Sequence, residues 1–128
     1  MTAEVRALSL DPDELAACVS CGLCLPHCPT YRVSGEEALS PRGRIAAMRA
    51  AVDGAPFDDA FLHIVQTCVQ CRGCETACPS GVHFGRLMER TREAVAPIAV
   101  PRWQRIATIA VRASTIPATS KSPTVGIQ

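Results

Sequence analysis

Apolar residues along this chain recur at helical spacing, and nowhere do apolar and polar positions alternate long enough to predict a strand. Asp11-Pro12-Asp13-Glu14 offers an N-cap, a proline at the first helical position and a glutamate able to reach back to the cap. A helix is expected from there into Cys18. Ser40-Pro41 makes the same kind of start, and Ile45, Met48 and Val52 share a face up to the break at Asp53-Gly54. After Pro56, Asp58 and Asp59 suit a helix N-terminus, and Phe57, Phe61, Ile64, Val65 and Cys68 form one stripe. A fourth helix is expected from near Val82, with Phe84, Leu87, Met88, Thr91 and Val95 on one face. The class these patterns predict is all-α.

Between the helices lies an internal repeat. Residues 18–28 read CVSCGLCLPHC and residues 68–78 read CVQCRGCETAC, 50 positions apart, each followed by a proline, Pro29 and Pro79. Two copies of one loop predict two equivalent sites related by approximate two-fold symmetry. The repeats hold all 8 cysteines of a 128-residue, 13.6 kDa chain that has only five aromatic rings, so the cysteines are expected to hold the middle of one small domain together.

Charge and compartment narrow the chemistry. A net charge of +1 with 48% apolar residues excludes a highly charged disordered chain and argues against a dedicated nucleic-acid binder. Residues Met1 to Leu8 lack the apolar run of a secretory signal. No stretch approaches the roughly 18 apolar residues of a membrane helix; the nearest, Ala94 to Ala118, is broken by Pro97, Pro101, Pro117 and three arginines. The expectation is a cytoplasmic protein, in a reducing compartment where thiols persist and structural disulfides are rare.

Both repeats have the spacing C-x2-C-x2-C-x3-C-P, which is far more specific than a single CxxC. Three closely spaced cysteines can occupy three corners of a cubane iron–sulfur cluster, and in two-cluster proteins the fourth ligates the other cluster. On that basis one [4Fe–4S] cluster is assigned to Cys18, Cys21, Cys24 and Cys78, and a second to Cys68, Cys71, Cys74 and Cys28. Zinc favours four ligands from two separated pairs and leaves the third cysteine of each triad without a purpose. Gly22 and Gly73 are expected to take positive φ and turn backbone N–H groups toward sulfur. Arg72 is either a cation that raises the potential of the second cluster or a solvated side chain. His27 and His63 are read as surface or structural histidines. No dinucleotide loop, nucleophile elbow or convergent acid–base pair stands out, so an electron relay without substrate chemistry of its own is expected.

The run CVSCGLCLPHCPTYRVSGEEALSPRGRIAAMRA from Cys18 to Ala50, with CVQCRGCETACPSGVHFGRLMERTR from Cys68 to Arg92, resembles the glycolate oxidase iron–sulfur subunits. Cys28-Pro29-Thr30-Tyr31, Ser40 to Ile45 and Cys78 to Val82 carry the resemblance. It implies an α-helical ferredoxin-like domain with two [4Fe–4S] clusters, all eight cysteines matching the family's ligand positions. It also implies a flavin-containing 2-hydroxy-acid dehydrogenase subunit as electron donor and a membrane quinone as acceptor, with the protein peripheral at the inner face of the membrane. Heterodisulfide-reductase and anaerobic glycerol-3-phosphate dehydrogenase type subunits share the two-cluster module and are the alternatives, beside a non-catalytic cluster or zinc interaction module. Family members continue into a region with two CCG repeats, whereas no cysteine follows Cys78 here; the alternatives are a truncated product, an isolated domain or one part of a split subunit, the last with a CCG-domain protein as candidate partner.

The tail differs in kind. All acidic residues lie at or before Glu93, and residues 94–128 carry only basic charge. The expected organisation is a two-cluster domain over 1–96, a basic helical extension over 97–113 bearing Trp103, Ile106 and Ile109, and a disordered tail over 114–128.

Overall fold

A computed structural model describes residues 8–99, and everything below concerns those residues. They form an all-α arrangement with no strand: α1 (Pro12–Ala16), α2 (Pro29–Ser34), α3 (Pro41–Val52), α4 (Asp59–Gln66), α5 (Gly73–Thr76) and α6 (Phe84–Ala99). Short 3-10 turns at Leu25–His27 and Glu37–Leu39 lead into α2 and α3. The expected basic extension and tail lie outside the described residues, apart from 97–99, which continue α6 through Pro97.

Local chemistry sets the helix starts. Asp11 accepts from the Asp13 N–H at 2.9 Å, Ser40 Oγ from the Gly43 N–H at 3.0 Å, and Asp58 from the Phe61 N–H at 2.8 Å. Each satisfies a donor that a helix leaves orphaned at its first turn. Proline occupies the start of α1, α2 and α3, where its missing N–H costs nothing. Helix α6 takes its first-turn acceptor from elsewhere: the Glu75 carboxylate, on α5, accepts from the Gly85 N–H at 2.6 Å.

Two expectations need correction, and one helix was not foreseen. Glu14 does not fold back on its own cap; its carboxylate takes the Arg86 guanidinium at 2.8 Å and ties α1 to α6. Helix α1 also ends at Ala16, before Cys18, which turns back to donate its N–H to the Leu15 carbonyl at 3.3 Å. Helix α2 had no apolar stripe to announce it; it closes on Gly35, whose φ of 69° suits a left-handed cap.

The core is mainly aliphatic, with Phe61 and Phe84, rather than cysteine-centred. Leu15, Ile45, Met48, Phe61, Val65, Leu87, Met88 and Val95 are buried together, where α6 packs on α4 and α4 on α3. Burying each such side chain contributes about 1.5–3 kcal/mol. Cys74 joins this cluster, and Cys18, Cys24, Cys68 and Cys78 pack against its border. Of the α3 stripe, Val52 falls at the edge and stays exposed. The helices therefore form one floor that carries both cysteine loops.

Candidate metal centre

The two cysteine loops share a backbone trace. Ser20 (φ 58°) and Gln70 (φ 53°) are equivalent in the repeat, and so are Gly22 (φ 84°) and Arg72 (φ 59°). All four are left-handed, a conformation that costs a non-glycine residue about 1–3 kcal/mol and that collects at functional sites. The glycine expectation was therefore right at Gly22 and wrong at Gly73. Gly73 begins α5, and the left-handed residue of the second loop is its neighbour Arg72.

All eight cysteines are free thiols. They divide between two small cavities, both partly open to solvent. Cys18, Cys21, Cys24 and Cys78 line one, together with Gly22, Arg42 and Pro79. Cys68, Cys71, Cys74 and Cys28 line the other, together with His27, Thr30, Arg44, Arg72 and Phe84. In each, three thiols come from one loop and the fourth from the other loop. Cys21 and Cys71 are the exposed members, so both cavities reach the surface.

Arginines fasten each loop by its carbonyls. Arg49 of α3 donates to the Leu15 and Cys18 carbonyls, at 2.5 and 2.7 Å. Arg92 of α6 donates to the Val65 carbonyl at 3.1 Å and to that of Cys68 at 2.5 Å. These acceptors are equivalent in the repeat, so the two-fold relation extends to the helices behind the loops. Arg42 donates to the Ser20 carbonyl at 3.1 Å and pairs with Glu37 at 2.5 Å, which holds the Glu37 carboxyl below the usual carboxylate range.

Arg44 is the residue the sequence reading missed. Only 1% exposed, it donates to the carbonyls of Leu39 and, at 3.0 Å, Ile64. It also donates to the hydroxyls of Thr30 and Thr67, and one Nη lies 3.7 Å from Cys28 Sγ. Burial opposes ionisation of Cys28, but hydrogen bonds from Thr30, the Tyr31 N–H and Arg44 together lower its pKa. Arg72, by contrast, is largely solvated and pairs with Glu75 at 3.1 Å. Although partial burial works against it, the Gly85 N–H and Arg72 hold Glu75 below the usual carboxylate range. His27, His63 and His83 are exposed.

Four thiols around each of two cavities, on loops of one backbone design, define a helical domain built for two metal centres. Residues 14–82 match the family model described as a 4Fe-4S dicluster domain, and the chain belongs to that family. It binds two [4Fe–4S] clusters. The chain is 48% identical over 88 residues to a probable glycolate oxidase iron-sulfur subunit of Bacillus subtilis (strain 168), covering 67% of this chain and 20% of that one. It is 40% identical over 98 residues to the glycolate oxidase iron-sulfur subunit of Escherichia coli (strain K12), covering 74% and 24%. It is 32% identical over 95 residues to a subunit of the dihydromethanophenazine:CoB--CoM heterodisulfide reductase of Methanosarcina barkeri, covering 62% and 23%. The chain thus spans between 20% and 24% of the length of these relatives. No solved structure matches it.

The donor sets fit the clusters. Among the described residues, no three His, Cys, Asp or Glu side chains converge so as to hold one metal ion. A mononuclear site needs all its donors on one point. A cubane takes one thiolate per iron and needs donors spread around a space, as here. Two of the thiols resist ionising unaided: burial, with Cys24, Cys68 and Cys71 nearby, pushes the Cys74 thiol up to about 12, and burial raises Cys24 as well. Cys24 and Cys74 would give up their protons on taking iron, which would relieve that crowding.

Proposed function

We propose that this chain is the two-cluster electron-transfer portion of a 2-hydroxy-acid dehydrogenase of the glycolate type. In this reading it takes electrons from a flavin-containing subunit and passes them toward a quinone, directly or through a CCG-domain partner. It works on the cytoplasmic side, peripheral to the membrane; among the described residues no helix is long and apolar enough to cross one. The similarity to the two glycolate oxidase iron-sulfur subunits supports this choice of partner over a heterodisulfide reductase, to which identity is lower.

The ligand sets are Cys18, Cys21, Cys24 and Cys78 for one cluster and Cys68, Cys71, Cys74 and Cys28 for the other, and the linings of the two cavities support them. When bound, each cluster supplies a centre that takes up and gives back one electron at a time. The chain's own residues do the rest. Arg49 and Arg92 hold the loop entrances at Cys18 and Cys68. Left-handed residues at 20, 22, 70 and 72 bend each loop around its cavity. The buried Cys28 and Cys74 keep the inner edge of the second site away from water.

The observation that carries the relay is the adjacency of the two sites. Helix α5, which carries Cys74 of one triad, packs on the 3-10 turn Leu25–His27 that directly follows Cys24 of the other. With Cys21 and Cys71 exposed, an electron can enter through one loop and leave through the other. Anaerobic reconstitution is expected to give four iron and four sulfide per cluster, two clusters per chain, and reversible one-electron reduction of each. A chain saturating with zinc and no sulfide, or clusters silent to reduction, contradicts the relay.

A further inference from the structure

The two sites match in thiol count and loop shape, yet their charges differ. Three arginines line the two cavities: Arg42 at the first, Arg44 and Arg72 at the second. Arg42 is paired with Glu37 and Arg72 with Glu75. Arg44 is buried, its hydrogen-bond partners are carbonyls, hydroxyls and the Cys28 sulfur, and among the described residues no carboxylate lies within salt-bridge distance of it. Arg49 and Arg92 do not disturb the comparison, because each serves one loop in the same way.

A buried cation without a counter-charge is costly unless an anion meets it. Four thiolates around an oxidised cubane leave a net negative charge, and each added electron makes it more negative, so a fixed cation favours the reduced form. We propose that Arg44 is the counter-ion of the cluster in the Cys28–Cys68–Cys71–Cys74 cavity and makes it the higher-potential centre of the pair. This inference rests on the ligand sets proposed above. Electrons entering at the other cluster then settle at this one, one electron per cluster and with no proton required, which gives the relay a direction. Arg44 is a positioning and charge-setting residue, held by Leu39, Ile64, Thr30 and Thr67 so that it cannot swing away.

The test is an anaerobic redox titration of the reconstituted full chain with dithionite as reductant, followed by electron paramagnetic resonance. Cys71→Ser marks the signal of the second cluster and Cys21→Ser that of the first. In the parent protein the signal marked by Cys71→Ser is expected to appear first as the potential falls. Arg44→Gln is expected to move that signal to lower potential and leave the other in place, while Arg44→Lys, which keeps the charge, restores most of the difference. Where Arg44→Gln fails to take up clusters, Thr67→Glu puts a carboxylate beside the Arg44 guanidinium, now 3.3 Å from the Thr67 hydroxyl, and is expected to lower the same signal. Both signals moving together, neither moving, or the marked signal appearing last in the parent overturns the proposal. Failure of the ligand sets shows separately: Cys28→Ser then perturbs the signal marked by Cys21→Ser.

Discussion

Ser40-Pro41-Arg42-Gly43-Arg44 shows how much a short run can carry. Ser40 caps α3 and Pro41 starts it; Arg42 reaches the carbonyl of Ser20 in the first loop, and Arg44 reaches Cys28 at the second cavity. Gly43 is there for space: a Cβ on it would run into the backbone of Glu37 and Ala38, in the 3-10 turn packed against α3. Backbone cannot swing aside as a side-chain tip can, so Gly43→Ala should destabilise the domain by about 1–3 kcal/mol, the usual cost of overpacking. Denaturant midpoints of the parent and variant holo-proteins check this, and an unchanged midpoint would show that the turn yields. The capping roles of Ser40 and Asp58 were legible in the sequence because the N–H groups they accept from lie three residues away. The role of Arg44 was not, since its partners lie as far off as Ile64 and Thr67 and nothing local marks the arginine as buried. The misplaced glycine at 73 had a signal that was available: aligned on its cysteines, the repeat puts Arg72, not Gly73, opposite Gly22.

The elements repeat along with the loops. Helix α1 enters the first loop as α4 enters the second, and α3 and α6 each send one arginine to the equivalent carbonyls, Cys18 and Cys68. The cysteine repeat was plain in the sequence, whereas this arginine repeat was hidden, because Arg49 and Arg92 are not spaced as the cysteines are. The symmetry also breaks in a readable way. After Cys28 the chain continues as α2, while after Cys78 it makes a turn at Pro79-Ser80 before α6. Each arginine should stabilise its own loop. Arg49→Ala is expected to release iron from the first cluster to a chelator on the order of tenfold faster, and Arg92→Ala to do the same at the second, as the loss of a charge-assisted hydrogen bond implies. Time courses of absorbance with chelator, read against those of Cys21→Ser and Cys71→Ser, separate the two. Equal loss from both clusters in either variant would show that the arginines stabilise only the common floor.

For the whole molecule, the helical floor holds the two loops so that each lends one thiol to the cavity of the other. The fold class was legible in the helical periodicity, and the spacing of the cysteines anticipated how they divide between the linings of the two cavities. The floor was only half legible: its stripes on α4 and α6 were apparent, but the expectation that cysteines fill the middle gave way to a mainly aliphatic core with the loops at its border. The unequal charge at the two sites was invisible to composition, which counts arginines without saying which of them meet a carboxylate. If the fourth thiol of each cavity is a ligand, as proposed, damage to one loop should register at the other's cluster. The direct measurement is the electron paramagnetic resonance spectrum of reduced Cys28→Ser set beside those of Cys21→Ser and Cys71→Ser. The account predicts that Cys28→Ser perturbs the same signal as Cys71→Ser, 43 residues further along the chain; perturbation of the signal marked by Cys21→Ser, its own sequence neighbour, would contradict it.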